Sequence, residues 1–392
     1  MKKDQDRGFN MKGSGRLALA AAAATFIALT MLQSAHAETV VKGYIVESST
    51  SELKLTLGQA TKWAQENSYL LKTANQNVER KSIILLSAAD GLKQATRRDS
   101  DEGDDHSGPD DAEAERAALK QYTEAASTYE DAKKQIPLVM DQLEFQTMKA
   151  YHEAIIAANN MTSSKELLEL TRQEENIALA KAARGKISWN VKEKAVQARM
   201  DAERKLAESE AASKKAEGSL SKLMGKMQGT VYDLVDIPTY SKPKALDIEL
   251  HIQEMTSSGS PALYKQENAV KQAMTEASYY DGKSISENQL KALDVEAAKM
   301  ELTHTKDQLA ESLKATYLSI QQYQSQYEEL QRNLQNARDE LTLSENKWKR
   351  GFIPGIEVKT NEIKVKQLER KTTELAIQQK QAEYTLVRPW LM

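Results

Sequence analysis

Apolar positions in the last third of the chain recur at a helical spacing. Leu309, Leu313, Tyr317, Ile320, Tyr323, Tyr327, Leu330, Leu334, Ala337 and Leu341 step by three or four residues. The mean step is about 3.56 residues, close to the ~3.5 of a coiled-coil seam. The run after Gly351 keeps the habit. Val358, Val365 and Leu386 share one heptad position, and Leu368, Leu375 and Ala382 share another. A stripe this narrow buries one edge of a helix against a partner helix rather than a broad face in a globular core.

Glycine and proline, the residues that most oppose helix interiors, partition the chain. Residues 138–184 contain neither, Gly185 follows, and 186–217 contain neither. The layout returns later: 283–350 are free of both, Gly351 follows, and 356–388 are free of both. Each half therefore predicts a long helix, a glycine turn and a second helix, which makes an antiparallel helical hairpin. A helix over 283–350 would run ~100 Å at 1.5 Å per residue.

The two halves align. At an offset of 166, Glu203-Arg204-Lys205 meets Glu369-Arg370-Lys371, Gly185 meets Gly351, Arg184 meets Arg350, Tyr151 meets Tyr317 and Leu143 meets Leu309. Upstream, Leu71 and Val78 pair with Leu263 and Val270 at 192. The difference falls on Arg97–Arg116, where residues 99–115 hold nine Asp/Glu. Low hydrophobicity and self-repulsion predict a disordered acidic loop there. The expected organisation is a signal peptide over 1–37, a first helical repeat over 38–224 that includes the 97–116 loop, a linker over 225–247 with Pro238 and Pro243, and a second repeat over 248–392.

The N-terminus sets the compartment. Lys12 and Arg16 precede the apolar run Leu17–Leu32, and Ala35-His36-Ala37 follows as a small-x-small cleavage pattern. This reads as a secretory signal peptide cleaved after Ala37. Later segments fall short of the ~20 apolar residues of a membrane-spanning helix.

Composition narrows the chemistry. With no cysteine among 392 residues, disulfide scaffolds and thiolate zinc sites are excluded. The net charge of -3 gives no reason to expect nucleic acid as a partner. His36, His106, His152, His251 and His304 form no H-E-x-x-H arrangement or i, i+4 pair, and His152 and His304 read as helix-surface residues. Nucleophile elbow, P-loop and dinucleotide-binding glycine patterns are absent. Asp99-Ser100-Asp101-Glu102-Gly103 departs from a calcium loop in its glycine position and lacks the glutamate at the twelfth place. We therefore read the chain as a non-enzyme with no cofactor and no metal site.

Three features together resemble one family, the TolC-like outer-membrane efflux proteins. The opening LTLGQATKWAQENSYLLKTANQNV, Leu55–Val78, is similar to that family's first helix. The stretches KAARGKISWNVKEKAVQARMDAERK around Gly185 and ENKWKRGFIPGIEVKTNEIKVKQLERK around Gly351 look like its helix–turn–helix tips. The internal duplication is the third feature, and the resemblance covers residues 52–388. It implies an all-α architecture of long antiparallel coiled-coil hairpins in two tandem repeats, forming part of a trimeric helical barrel. It also implies a cell-envelope location in the outer membrane. The function it implies is a passive conduit in an efflux or export system, with an extracytoplasmic adaptor and an inner-membrane transporter as partners. The adaptor-docking tips would be Arg184, Gly185, Lys186, Ile187 and Ser188, and Arg350, Gly351, Phe352, Ile353 and Pro354. The same residues equally make a plain helix C-cap with charge that complements the helix dipole.

The sequence departs from the family in one respect. Family members insert a β-hairpin between the first and the long helix of each repeat, and those strands close a membrane barrel. Such strands need ~9–11 alternating residues. The matching places here hold the acidic 97–116 segment and the short 281–288 segment. This leaves a second reading open: an exported coiled-coil scaffold that binds partners and has no pore.

Overall fold

The computed structural model describes residues 53–101, 109–227, 229–257, 259–279 and 285–391. The expected signal peptide, and the core of the acidic segment at 102–108, lie outside them. What is described is all-α, with two three-residue strands and no closed barrel among the described residues.

The first half contains β1 (Leu53–Leu55), α1 (Leu57–Asn67), α2 (Tyr69–Asp101), α3 (Pro109–Ala183) and α4 (Trp189–Leu223). Strand β2 (Tyr232–Leu234) follows, in the segment read as a linker. The second half contains α5 (Ile248–Met255), α6 (Tyr264–Tyr279), α7 (Ile285–Lys349), α8 (Gly355–Val387) and a closing 3-10 turn at Pro389–Leu391. Both halves thus run short helix, longer helix, very long helix, glycine turn, helix. At 75 residues, α3 extends about 110 Å.

Two helices depart from the sequence expectations. The opening helix breaks at Ser68, whose extended backbone (φ -64°, ψ 119°) ends α1. Ser68 Oγ accepts from the Leu71 N–H at 3.2 Å and so starts α2. Helix α3 starts far upstream of residue 138 and runs through Pro137. The expected loop over 97–116 is accordingly helical at both described ends, since α2 reaches Asp101 and α3 begins at Pro109. Proline suits a first helical position, where its missing N–H has no partner to lose.

The seam read from the sequence is the packed edge of α7. Leu309, Leu313, Ile320, Leu334 and Ala337 are buried, and Tyr317, Tyr323, Tyr327, Leu330 and Leu341 are half-buried. The facing positions on α8 are packed as well, with Val365, Leu375 and Leu386 buried.

The first half's core gathers where α1, α3 and α4 meet the strands, around Leu55, Ala60, Tyr151, Ala154, Leu220 and Met224. Strands β1 and β2 pair in parallel, Leu53 opposite Tyr232 and Leu55 opposite Leu234. Tyr151, fully buried, locks this junction. Its Oη donates to the Leu55 carbonyl at 2.8 Å and accepts from the Asp236 N–H at 3.0 Å. Asp236 Oδ2 accepts from the Leu57 N–H at 2.8 Å, while Thr56 and Gln59 close a capping box on α1.

His152, read from the sequence as a surface residue, is buried. Helix α3 packs on α4 along one face and on α8 of the second half along another, so a position outside its main seam is still covered. His304 is exposed on α7.

Candidate functional site

The residues singled out in the sequence fall on two turns with the same backbone geometry. At the end of α3, Gly185 takes φ 68°. Its N–H donates to the Ala182 carbonyl and the Lys186 N–H donates to the Lys181 carbonyl, both at 2.9 Å. At the end of α7, Gly351 takes φ 76°. Its N–H donates to the Trp348 carbonyl at 2.8 Å, and the Phe352 N–H donates to the Lys347 carbonyl at 2.9 Å. This crossed pair of bonds is the Schellman motif, which satisfies the last helical carbonyls and needs a left-handed residue. Glycine supplies that conformation without steric cost. Ser188 and Pro354 then start α4 and α8 in extended conformation.

The side chains divide into two sets. Ile187 and Ile353 are half-buried, whereas Arg184, Lys186, Ser188, Arg350, Phe352 and Pro354 are exposed. Position for position the turns match except at two places, where Lys186 and Ser188 of the first face Phe352 and Pro354 of the second. The hairpin above each turn carries an equivalent ion pair at the same offset of 166. Arg172 Nη2 meets Glu203 Oε1 at 3.3 Å, and Arg338 Nη2 meets Glu369 Oε1 at 2.8 Å.

Contacts between the hairpins put both turns at one end of the bundle. Arg370 on α8 donates to Ser163 Oγ and Glu166 Oε2 on α3, both at 2.7 Å. The Arg370 guanidinium lowers the Glu166 carboxyl below its ordinary value, chiefly through that hydrogen bond. From this tie α3 has seventeen residues left to its end and α8 rises fifteen residues from its start, distances of about 26 and 23 Å.

Two tryptophans at these turns escaped the sequence reading. Trp189 opens α4 and is 68% exposed, with Lys192 Nζ over its ring at 4.0 Å. Trp348 lies across the second turn against Gly355, where a Cβ would come within 3.3 Å of its Nε1. The clue was rarity, since the whole chain holds four tryptophans.

Elsewhere, no group of three or more His, Asp or Glu is placed to hold a metal ion among the described residues. The C-terminal turn is clamped to α3 by Asp141, which accepts from Arg388 Nε at 3.2 Å and Trp390 Nε1 at 3.1 Å. No described helix is long and apolar enough to cross a membrane.

Neither a family model nor a curated protein sequence matches the chain. Solved structures do. The outer-membrane channel OprN superposes with a TM-score of 0.64 at 9% identity, covering 86% of this chain and 89% of that one. The CmeC outer membrane channel of Campylobacter jejuni gives 0.61 at 12%, covering 86% and 85%. The open state of the MtrE outer membrane channel of Neisseria gonorrhoeae gives 0.56 at 13%, covering 85% and 88%. The fold is that of the TolC-like outer-membrane channels.

Proposed function

We propose that the chain is a TolC-like component of an envelope efflux or export system. It would be a passive helical conduit, assembled as a homotrimer of internally duplicated protomers, and not an enzyme. Its export by the signal peptide would place it in the cell envelope. An extracytoplasmic adaptor would dock on the tips Arg184–Ser188 and Arg350–Pro354, and through it an inner-membrane transporter. One observation carries this reading: a fold shared with outer-membrane channels along nearly the full chain, with two equivalent exposed turns at one end. Native mass measurement and crosslinking of the purified chain test the assembly. A trimer is expected, and a strict monomer at all concentrations would rule out a tube.

A second reading, an exported scaffold without a pore, is favoured by a specific observation. Where the family resemblance calls for strands, α2 runs on to Asp101 and α3 starts at Pro109, and α6 and α7 approach the corresponding place in the second half. Conductance across planar bilayers separates the two readings. Discrete channels support the conduit, and their absence from a trimeric preparation supports the scaffold.

A further inference from the structure

Toward the end of the bundle away from the glycine turns, α3 rests on α6 of the second half. Tyr264 Oη and Asn268 Nδ2 both donate to Asp131 Oδ1, at 2.6 and 2.5 Å, and Lys134 Nζ sits 3.8 Å over the Tyr264 ring. Glu124 and Ser127 of α3 line the cleft that continues this contact, facing Thr275 and Glu276 of α6. These facing groups are polar or charged.

The internal duplication writes the same contact a second time. At the offset of 166, Glu124, Ser127, Asp131 and Lys134 of α3 correspond to Leu290, Leu293, Ala297 and Met300 of α7. At 192, Asn268, Thr275 and Glu276 of α6 correspond to Gln76, Ile83 and Ile84 of α2. All four helices are unbroken across these stretches, so each offset carries along residue by residue. The second copy of the contact is open. Leu290, Leu293 and Met300 are 62%, 60% and 61% exposed, Ile83 and Ile84 are 61% and 44% exposed, and Ala297 is exposed as well. Helices α2 and α7 of one chain therefore do not cover each other here.

Chemistry and burial run opposite ways in the two copies. The covered positions are polar and the open ones are apolar, the reverse of what exposure to water selects. Leu290, Leu293, Ala297 and Met300 also keep the alternating three and four residue steps of a coiled-coil seam. They lie on the face of α7 opposite the half-buried Val295, Ala298 and Leu302, and a second seam on one helix calls for a second facing helix. Charge names the same partner. Lys72 and Arg80 flank Ile83 on α2, Asp294 and Glu301 flank the stripe on α7, and all four are exposed. We propose that α7 of one copy packs on α2 of the next, with Leu290, Leu293, Ala297 and Met300 against Ile83 and Ile84. This repeats between chains the relation that α3 and α6 hold within one, and a head-to-tail contact of this kind closes a ring where the rotation allows. The seam lies beside the places where the family resemblance calls for strands, so helix faces hold the copies together at this end. The inference rests on the assembly proposed above and supplies its interface.

The chain has no cysteine, so introduced thiols report this contact alone. Ala297→Cys and Gln76→Cys stand at the counterparts of Asp131 and Asn268, whose side chains touch. Oxidised with copper phenanthroline, the full chain carrying both changes should give covalent oligomers on denaturing gels. Each single change should stay monomeric, and an equal mixture of the two should stop at the dimer. The covered pair, Asp131→Cys with Asn268→Cys, should link within one chain and shows the reach of the reagent. Adding Leu290→Glu and Leu293→Glu to the open pair should lower the oligomer yield about tenfold, because a carboxylate buried without a partner opposes the contact. The same two glutamates in the parent chain should shift its native mass toward the monomer, a readout independent of thiols. Both leucines are exposed in the single chain, so its fold should survive, which circular dichroism verifies. Dimers from a single cysteine in the yield of the pair, a link confined to one chain, or an oligomer unmoved by the two glutamates would overturn the proposal. So would the absence of any link between chains. A parent trimer without that link removes this seam and leaves the conduit reading standing, whereas a parent monomer removes both.

Discussion

At the residue scale, three glycines share a left-handed backbone but not the same surroundings. A Cβ at Gly185 or Gly351 would meet nothing within 4 Å, whereas one at Gly225 would lie 2.6 Å from Asn67 Cβ. Gly185→Ala and Gly351→Ala should therefore cost about 1 kcal/mol each, from backbone strain alone. Gly225→Ala should cost clearly more, because it also pushes Asn67 off the Met224 carbonyl that Asn67 Nδ2 now reaches at 3.0 Å. Urea midpoints of the three variants check the ranking, and equal losses would contradict it. Tyr151 supplies a second case. Tyr151→Phe keeps the ring but leaves the Leu55 carbonyl and the Asp236 N–H without this partner. A loss of about 1–3 kcal/mol is expected for such orphaned groups. Equilibrium unfolding of Tyr151→Phe beside Tyr317→Phe measures it, and the half-buried Tyr317 should prove the milder site.

At the scale of elements, the equivalent ion pairs Arg172–Glu203 and Arg338–Glu369 join the two helices of each hairpin at the same height. All four side chains are roughly half exposed, so solvent screening leaves each pair only a small contribution. A double-mutant cycle on each hairpin should return small coupling energies that fade with added salt. Their value lies in register, and register is also what the sequence made legible. The ten seam positions on α7 are all buried or half-buried because a coiled-coil stripe is written at fixed spacing in one helix. The tips were legible because only glycine fits the left-handed turn. The break at Ser68 was hidden, because one side-chain hydrogen bond restarts the helix without altering the apolar pattern. The reach of α3 through Pro137 and up to Pro109 was hidden for the opposite reason. Proline and acidic residues read as breakers, yet tertiary packing along the hairpin carries the helix through an interior proline, and a helix start welcomes both residue types. The burial of His152 could not be read, because the helix that covers it lies 229 residues away in sequence, at Gln381.

At the scale of the whole molecule, that same interface between α3 and α8 holds two groups that respond to acid in the same direction. Burial lowers the His152 pKa from 6.5 to about 4. The unfolded chain therefore binds a proton near pH 6.5 that the folded chain refuses until about pH 4, and stability falls as pH drops through that window. The integrated loss is about 3 kcal/mol, taking 1.36 kcal/mol per unit. Glu166, held low by Arg370, contributes stability that is present above its unfolded value of 4.5 and lost as pH falls through its folded value. Both terms act at the contact between the two hairpins, and Glu203, held low by Arg199 and Arg172 inside the first hairpin, responds to acid in the same direction. Urea midpoints between pH 7 and pH 4 should decline for the parent chain. They should decline much less for His152→Leu, which refuses no proton because it has none to take. A parent chain as stable at pH 4.5 as at pH 7, or a His152→Leu chain with the same decline, would show that the buried imidazole does not govern this interface.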